Sequence, residues 1–536
     1  MLWRPCAPIM EQPRHVGDLA DELLSDILLF LLEPAPRALN GGFHANGSRN
    51  TIEYGEASDL DRFRLVCKRF MRIGTPHRFS RFSLRFSEHG FRRLEQLLEM
   101  QLACYVKTLT YMVRPFYQGS GTSSSILQTR ETDLHNTIGW TRILRTLATE
   151  NNVLSQLHNR RLQEQKALLE TNYDRTQLTH AIAAFTSLQE IKLLRLQDDP
   201  DERLVEYIHH RHHHHHHHHN HNHNHNAQTL PATNTRLDWS PACTRAVKSL
   251  GMALLSSKSH SIRFTAPQIS PEATLQLLRA PTNTLSGMGT RLTSLDINFH
   301  SHNENITSTM ADLSGAFHRF FTAAKNLIAI HIGFLSKTPL DLDLETVFHN
   351  IRWKTLRKLS IQGWRLHASE IINLARRHRF QLRDFGLVGI YLRSGGRWVD
   401  ILSFLREEMD QLERLDLRDI DYAAYFDAVV GANNGVEVFD DYPLPVQVPS
   451  LLDVAGAEGE SVTSELGLGP DGPGVMGGYG RVSIEKVWAL GVGDLGDDGV
   501  HVLHEQMPLW EAWVLAEDVR ARRNGNGNGR VHGWSM

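Results

Sequence analysis

Leu356-Arg357-Lys358-Leu359-Ser360-Ile361 places apolar side chains first, fourth and sixth in a six-residue run, and that spacing decides how the chain is read. It returns as Leu292, Leu295, Ile297; as Leu327, Ile330, Ile332; as Leu382, Phe385, Leu387; and as Leu412, Leu415, Leu417. Earlier copies stand at Val106, Leu109, Tyr111 and at Leu188, Ile191, Leu193, with a weaker one at Ile262 and Phe264. From Leu292 onward the copies begin 35, 29, 26 and 30 residues apart. Strand side chains alternate between two faces, so the last two apolar positions of each copy share one face. Between copies the apolar period lengthens to about 3.6. Leu313, Phe317, Phe320 and Phe321 form one helical stripe, Leu344, Val347, Phe348 and Ile351 another, and Val399, Leu402, Leu405 and Met409 a third. Ser270 before Pro271 reads as a capped helix start, and Ser369 as the cap of the stripe Ile371, Ile372, Ala375. The fold class is therefore α/β, made of strand-helix units that bury their stripes against their neighbours.

The spacing resembles the strand signature of leucine-rich repeats, stretched and irregular. That resemblance implies a solenoid with strands inside and helices outside. A doubly wound sheet also alternates strand and helix and stands as the other architecture. In the solenoid, residues between the inward apolar positions face the concave surface: Ser294, Asp296 and Asn298; His331; Lys358, Ser360 and Gln362; Asp384; Arg414, Asp416 and Arg418. Their charges are mixed in sign, which suits a protein ligand better than nucleic acid or a phosphate group alone.

Ahead of the repeats, residues 16–34 (VGDLADELLSDILLFLLEP) and 58–80 (SDLDRFRLVCKRFMRIGTPHRFS) carry apolar residues at helical spacing. Leu23, Leu24, Ile27, Leu28 and Leu31 make the first stripe, and Leu60, Phe63, Val66, Cys67 and Phe70 the second. Two short amphipathic helices are expected, with Asp18 and Ser58 as caps and Pro76 closing the second. So short a pair is marginal alone, and part of its apolar surface should meet something else. Leu19, Glu22-Leu23-Leu24, Ile27, Leu31 and then Leu65-Val66-Cys67-Lys68-Arg69-Phe70 resemble an F-box, and the chain as a whole is similar in layout to fungal F-box proteins. The resemblance implies docking on the Skp adaptor and cullin scaffold of an SCF-type ubiquitin ligase through Leu19, Leu23, Leu24, Ile27, Leu28, Leu31, Leu60, Leu65, Val66, Cys67 and Phe70. The repeats would then hold a protein substrate. Ala20 stands where that family usually has proline, and residues 33–57 are a longer loop than usual. The alternative is a repeat scaffold without ligase docking.

The expected layout has a disordered start at 1–15, the helical F-box at 16–80 with its inserted loop at 33–57, and the repeat region at 81–430. A disordered His/Asn insertion at 209–226 interrupts the repeats. A Gly-rich low-complexity loop at 431–480, a strand-helix cap at 481–520 and a disordered tail at 521–536 follow. The chain has 536 residues, 41% hydrophobic, with a formal net charge of −3, which gives no bulk attraction to nucleic acid or anionic membrane. Its 4 cysteines, Cys6, Cys67, Cys104 and Cys243, form no Cys-x-x-Cys pair, which suits a reducing cytoplasmic or nuclear compartment and argues against structural zinc. The expected cofactor set is empty.

Several local motifs have plainer readings. The His tract lacks the fixed geometry a metal centre needs. Gly491-x-Gly493-x-x-Gly496 matches a dinucleotide fingerprint, but Asp494, Asp497 and Asp498 would repel a pyrophosphate, so it reads as an acidic turn. Asp341 to Glu345 resembles a calcium loop without its glycine and reads as a helix start. Nucleophile-elbow, His-Glu-x-x-His and Gly-Lys-Ser/Thr motifs are absent, which favours a non-catalytic binding protein.

Overall fold

A computed structural model describes residues 15–16, 19–32, 59–117, 153–196, 237–279, 283–300, 306–336, 338–433, 487 and 490–516. The expected caps Asp18 and Ser58, the loop at 33–57, the His/Asn tract and most of 431–480 lie outside them.

The N-terminal unit contains α1 (Asp21–Leu32), α2 (Asp59–Val66) and α3 (Lys68–Arg78). Leu24 and Leu28, one turn apart on α1, meet Leu60, Phe70 and Ile73 in a small core of their own. Phe63 packs edge-on to Phe70 at 4.6 Å. The expected second helix is thus two helices, broken at Cys67, whose backbone is extended (φ −162°, ψ 172°). Pro76 lies inside α3 instead of closing it; the last turn survives because Phe79 N–H donates to the Thr75 carbonyl at 3.1 Å.

Nine strands of the main sheet follow, all parallel and side by side in chain order: β1 (Arg81–Arg85), β2 (Thr108–Val113), β3 (Glu190–Arg195), β4 (Ile262–Ile269), β5 (Leu292–Phe299), β6 (Ala329–Phe334), β7 (Lys358–Leu366), β8 (Asp384–Leu392) and β9 (Arg414–Arg418). The two-residue strand Asp421–Tyr422 adds to the far end of β8. A doubly wound sheet reverses its strand order once, and this sheet does not. Apolar positions align across the ladder: Leu295, Ile330, Leu359, Phe385 and Leu415 share one register row, and all are buried.

Stepping parallel strands in one direction puts every crossover on the same face. There α4 (Glu88–Glu99), α5 (Val153–Glu170), α6 (Tyr173–Ala184), α7 (Trp239–Ser256), α8 (Asn283–Arg291), α9 (Ser314–Ala323) and α10 (Leu344–Phe348) pack each on the next or next but one. The row continues through α11 (Ala368–Arg377) and α12 (Trp398–Glu408). Ser270 caps its helix as expected, accepting from Ala273 N–H at 3.2 Å. Ser369 does not cap α11: the helix starts after His367, whose N–H is held by the Glu370 carboxylate at 2.8 Å.

Two further helices, α13 (Ala423–Asn433) and α14 (Gln506–Val514), close the described chain. The expected terminal strand is not found among the described residues of 481–520; Val492–Leu495 is a 3-10 turn in which Asp494 accepts from Gly491 N–H at 2.8 Å. Trp510 and Trp513 of α14 donate to the Leu495 and Leu490 carbonyls, both at 2.9 Å. Asp497 receives Val399 N–H at 2.9 Å and the Tyr422 hydroxyl at 2.6 Å. Glu511 receives Leu417 N–H of β9 at 2.6 Å. Among the described residues no helix is long and apolar enough to cross a membrane.

Candidate functional site

Two surfaces collect the residues singled out by sequence. On the helical unit the expected docking set splits. Leu24, Leu28, Leu60 and Phe70 are interior and hold the unit together, so they are corrected from contact residues to core. Leu19 is half-buried against them. Leu23 and Ile27, one turn apart on α1, remain 51% and 41% exposed, and Leu65 and Val66 at the end of α2 are 81% and 65% exposed. Cys67 is exposed beside them. The Leu31 side chain lies outside what the structure describes.

Ion pairs tie the start of α1 to α3. Asp21 at the start of α1 accepts from Arg69 and Arg72 of α3, both at 2.6 Å, and Arg69 also reaches the Leu19 carbonyl. Hydrogen bonding from Arg69 is the main reason the Asp21 carboxyl is held below its ordinary value. The cross-links tie the α1 start to the first turn of α3, two residues beyond Cys67. The break at Cys67 turns the chain there, which leaves the adjoining apolar residues outside the three-helix core.

The second surface is the sheet face turned away from the helices. The expected residues fall on three register rows. Ser294, Lys358, Asp384 and Arg414 share the first, which runs back through Arg263, Glu190 and Thr108 to Arg81. Asp296, His331, Ser360 and Asp416 share the second, and Asn298, Gln362 and Arg418 the third. The centre of this face is closed. Ser294, Asp296, Ser360 and Asp384 are buried, while Arg414 and Arg418 are exposed. The cause is lateral packing across strands about 4.8 Å apart. Asn298 Oδ1 would lie 1.8 Å from a Cβ on Gly333, and Ser360 Oγ 2.7 Å from one on Gly386. Glycine at both positions lets the neighbouring side chain lie flat over the backbone.

Two cations on this face are answered within it. Lys358 pairs with Asp384 at 2.8 Å, and Arg418 makes two bonds to Asp416, both at 2.7 Å. His331 Nε2 lies 3.2 Å from Asn298 Oδ1; burial pulls its imidazole down to about 4, and Arg418 adds to that effect.

Sequence reasoning missed the strip at the far ends of β7 and β8. Arg365 and Tyr391 share a register row, Phe426 of α13 lies 4.5 Å from Tyr391 ring to ring, and Asp427 pairs with Arg365. The left-handed backbone at Gly363 (φ +76°) resets the burial alternation there without shifting the register to β8, which a strict period of two cannot anticipate.

Fold and surfaces together define an α/β protein built on one parallel sheet, with a small three-helix unit at its start. No protein-family model matches the chain, and no curated protein matches it.

Proposed function

We propose that the chain is the substrate-recognition subunit of an SCF-type cullin ubiquitin ligase. In this reading the three helices are an F-box that holds the Skp adaptor, and the in-order strands and helices are an irregular leucine-rich-repeat solenoid that holds a protein substrate. The protein contributes no chemistry of its own. It raises the effective concentration of substrate beside the ligase's conjugating enzyme.

One observation carries the reading: a unit with a complete small core still leaves Leu23, Ile27, Leu65 and Val66 in solvent. Large apolar side chains left exposed on so small a unit suit a protein partner. Burying each such side chain is worth about 1.5 to 3 kcal/mol, so Leu23→Asp with Leu65→Asp should weaken adaptor capture roughly 100-fold or more. A pull-down with purified Skp adaptor tests this. Capture undiminished in the doubly substituted, folded protein rejects the assignment of the surface. No capture by the parent protein favours the alternative, a repeat scaffold without ligase docking, to which Ala20, exposed ahead of α1, lends support.

A further inference from the structure

A cleft of about 480 Å³ opens at the N-terminal ends of β6 to β9, lined by residues that belong to neither surface described above. Its walls are the residues that enter each strand. Backbone hydrogen bonds step across them, from Arg357 N–H to the Ile328 carbonyl at 2.7 Å, then from Arg383 to Arg357 and from Glu413 to Arg383, both at 2.8 Å. That ladder fixes Ile328, Arg357 and Arg383 side by side at strand spacing. Phe380, in the turn after α11, and Lys354 complete the opening.

The chemistry is one-sided. Lys354, Arg357 and Arg383 line the cleft and no carboxylate does. Arg383 reaches Glu413 at 3.0 Å, but among the described residues no carboxylate lies within ion-pair distance of Lys354 or Arg357. Between these cations two large apolar side chains stand in solvent, Ile328 at 43% and Phe380 at 57% exposure. The Arg379 guanidinium lies 4.4 Å above the Phe380 ring and is itself tied to Glu408 at 3.6 Å, which holds the ring at the mouth. Three cations of the sheet are answered by carboxylates: Lys358 by Asp384, Arg418 by Asp416, Arg365 by Asp427.

We propose that this cleft binds an acidic peptide segment of a partner protein, with its carboxylates on Lys354 and Arg357 and a large apolar side chain on Ile328 and Phe380. Charge complementarity selects the acid and the exposed pair selects the apolar residue. A nucleic-acid strand fits less well, because the cations form one small group on a chain of net charge −3. The proposal is independent of adaptor docking, since none of these residues belongs to the helical unit.

A displayed library of random peptides, panned on the full chain and in parallel on Lys354→Glu with Arg357→Glu, tests it. Both positions are exposed, and equal melting temperatures confirm that the variant is folded. Parent-specific enrichment of peptides with Asp or Glu beside an aromatic or aliphatic residue is expected. Individual peptides should bind the variant at least about ten-fold more weakly and lose affinity as salt is raised. Phe380→Ala should weaken them while leaving the salt dependence in place. Enrichment shared equally by parent and variant, enrichment of neutral or basic peptides, or equal competition by a single-stranded oligonucleotide would each overturn the proposal.

Discussion

At the scale of single residues, His378 shows how a titratable side chain is built into the interior. Its ring stacks on Trp353 at 5.5 Å, its Nδ1–H donates to the Leu374 carbonyl at 3.1 Å, and its Nε2 accepts Trp353 N–H at 3.3 Å. Both ring nitrogens are therefore used by the neutral form, and a second proton would face a donor. Burial first, and Arg377 and Arg352 after it, pull the imidazole down to about 4. The folded protein thus binds fewer protons than the unfolded chain below the ordinary histidine value. Stability from this residue is complete above about pH 6.5 and is lost as pH falls toward 4, by up to about 3 kcal/mol. His331, also held near 4, adds a loss of the same sign. Followed by NMR, the His378 ring is expected to stay neutral down to about pH 5; titration near 6.5 in the folded state would contradict this account.

At the scale of elements, α6 and α7 are joined by Asp174, which is fully buried and bonded by Arg245 at 2.9 and 2.6 Å and by Ser249 at 3.3 Å. Arg245→Met leaves that carboxylate without its cation, so a loss of about 3 to 5 kcal/mol is expected in chemical denaturation. Replacing Asp174 by Leu as well should recover much of it; a double variant no better than the single one would contradict this account. Strands were legible in the sequence because the inward positions repeat and are all apolar, as Leu356, Leu359 and Ile361 are. Helix ends were less so. Glu370 replaces Ser369 as the capping side chain because its other oxygen also takes Leu344 N–H of the preceding helix at 3.0 Å, a contact between repeats that no local pattern records. The break at Cys67 was invisible since Leu60, Phe63, Val66, Cys67 and Phe70 keep helical spacing through it and no glycine or proline marks it. For the same reason the proposed docking residues could be gathered but not sorted. Leu23 and Leu24 are equally apolar, and only packing makes one solvent-facing and the other core. On the open face the period of two placed the three rows correctly, yet it could not foresee that Asn298 and Ser360 lie over glycines and close the centre.

At the scale of the whole molecule, the order of the strands means that each contacts only its neighbours in sequence, so a change in a connection need not disturb the ladder. Ile191 of β3 pairs with Phe264 of β4 although the His/Asn tract lies between them in the chain. Deleting residues 210–226 is accordingly expected to leave the melting temperature and adaptor capture unchanged; a melt lowered by many degrees would show that the tract holds the sheet together. A sheet that adds strands in this way also contains no internal reason to stop. Its last strand ends against α14, where Glu511 occupies Leu417 N–H, a donor that a further strand would otherwise take. The outer edge of β1 meets no strand among the described residues. Without α14 the two ends become complementary across copies, and such head-to-tail contacts generate open filaments instead of closed oligomers. Truncation at residue 490 should give light scattering that grows with protein concentration, whereas a monodisperse monomer would argue against it. In polymer terms α14 is a chain stopper, and a single helix separates a protein of finite length from a fibre.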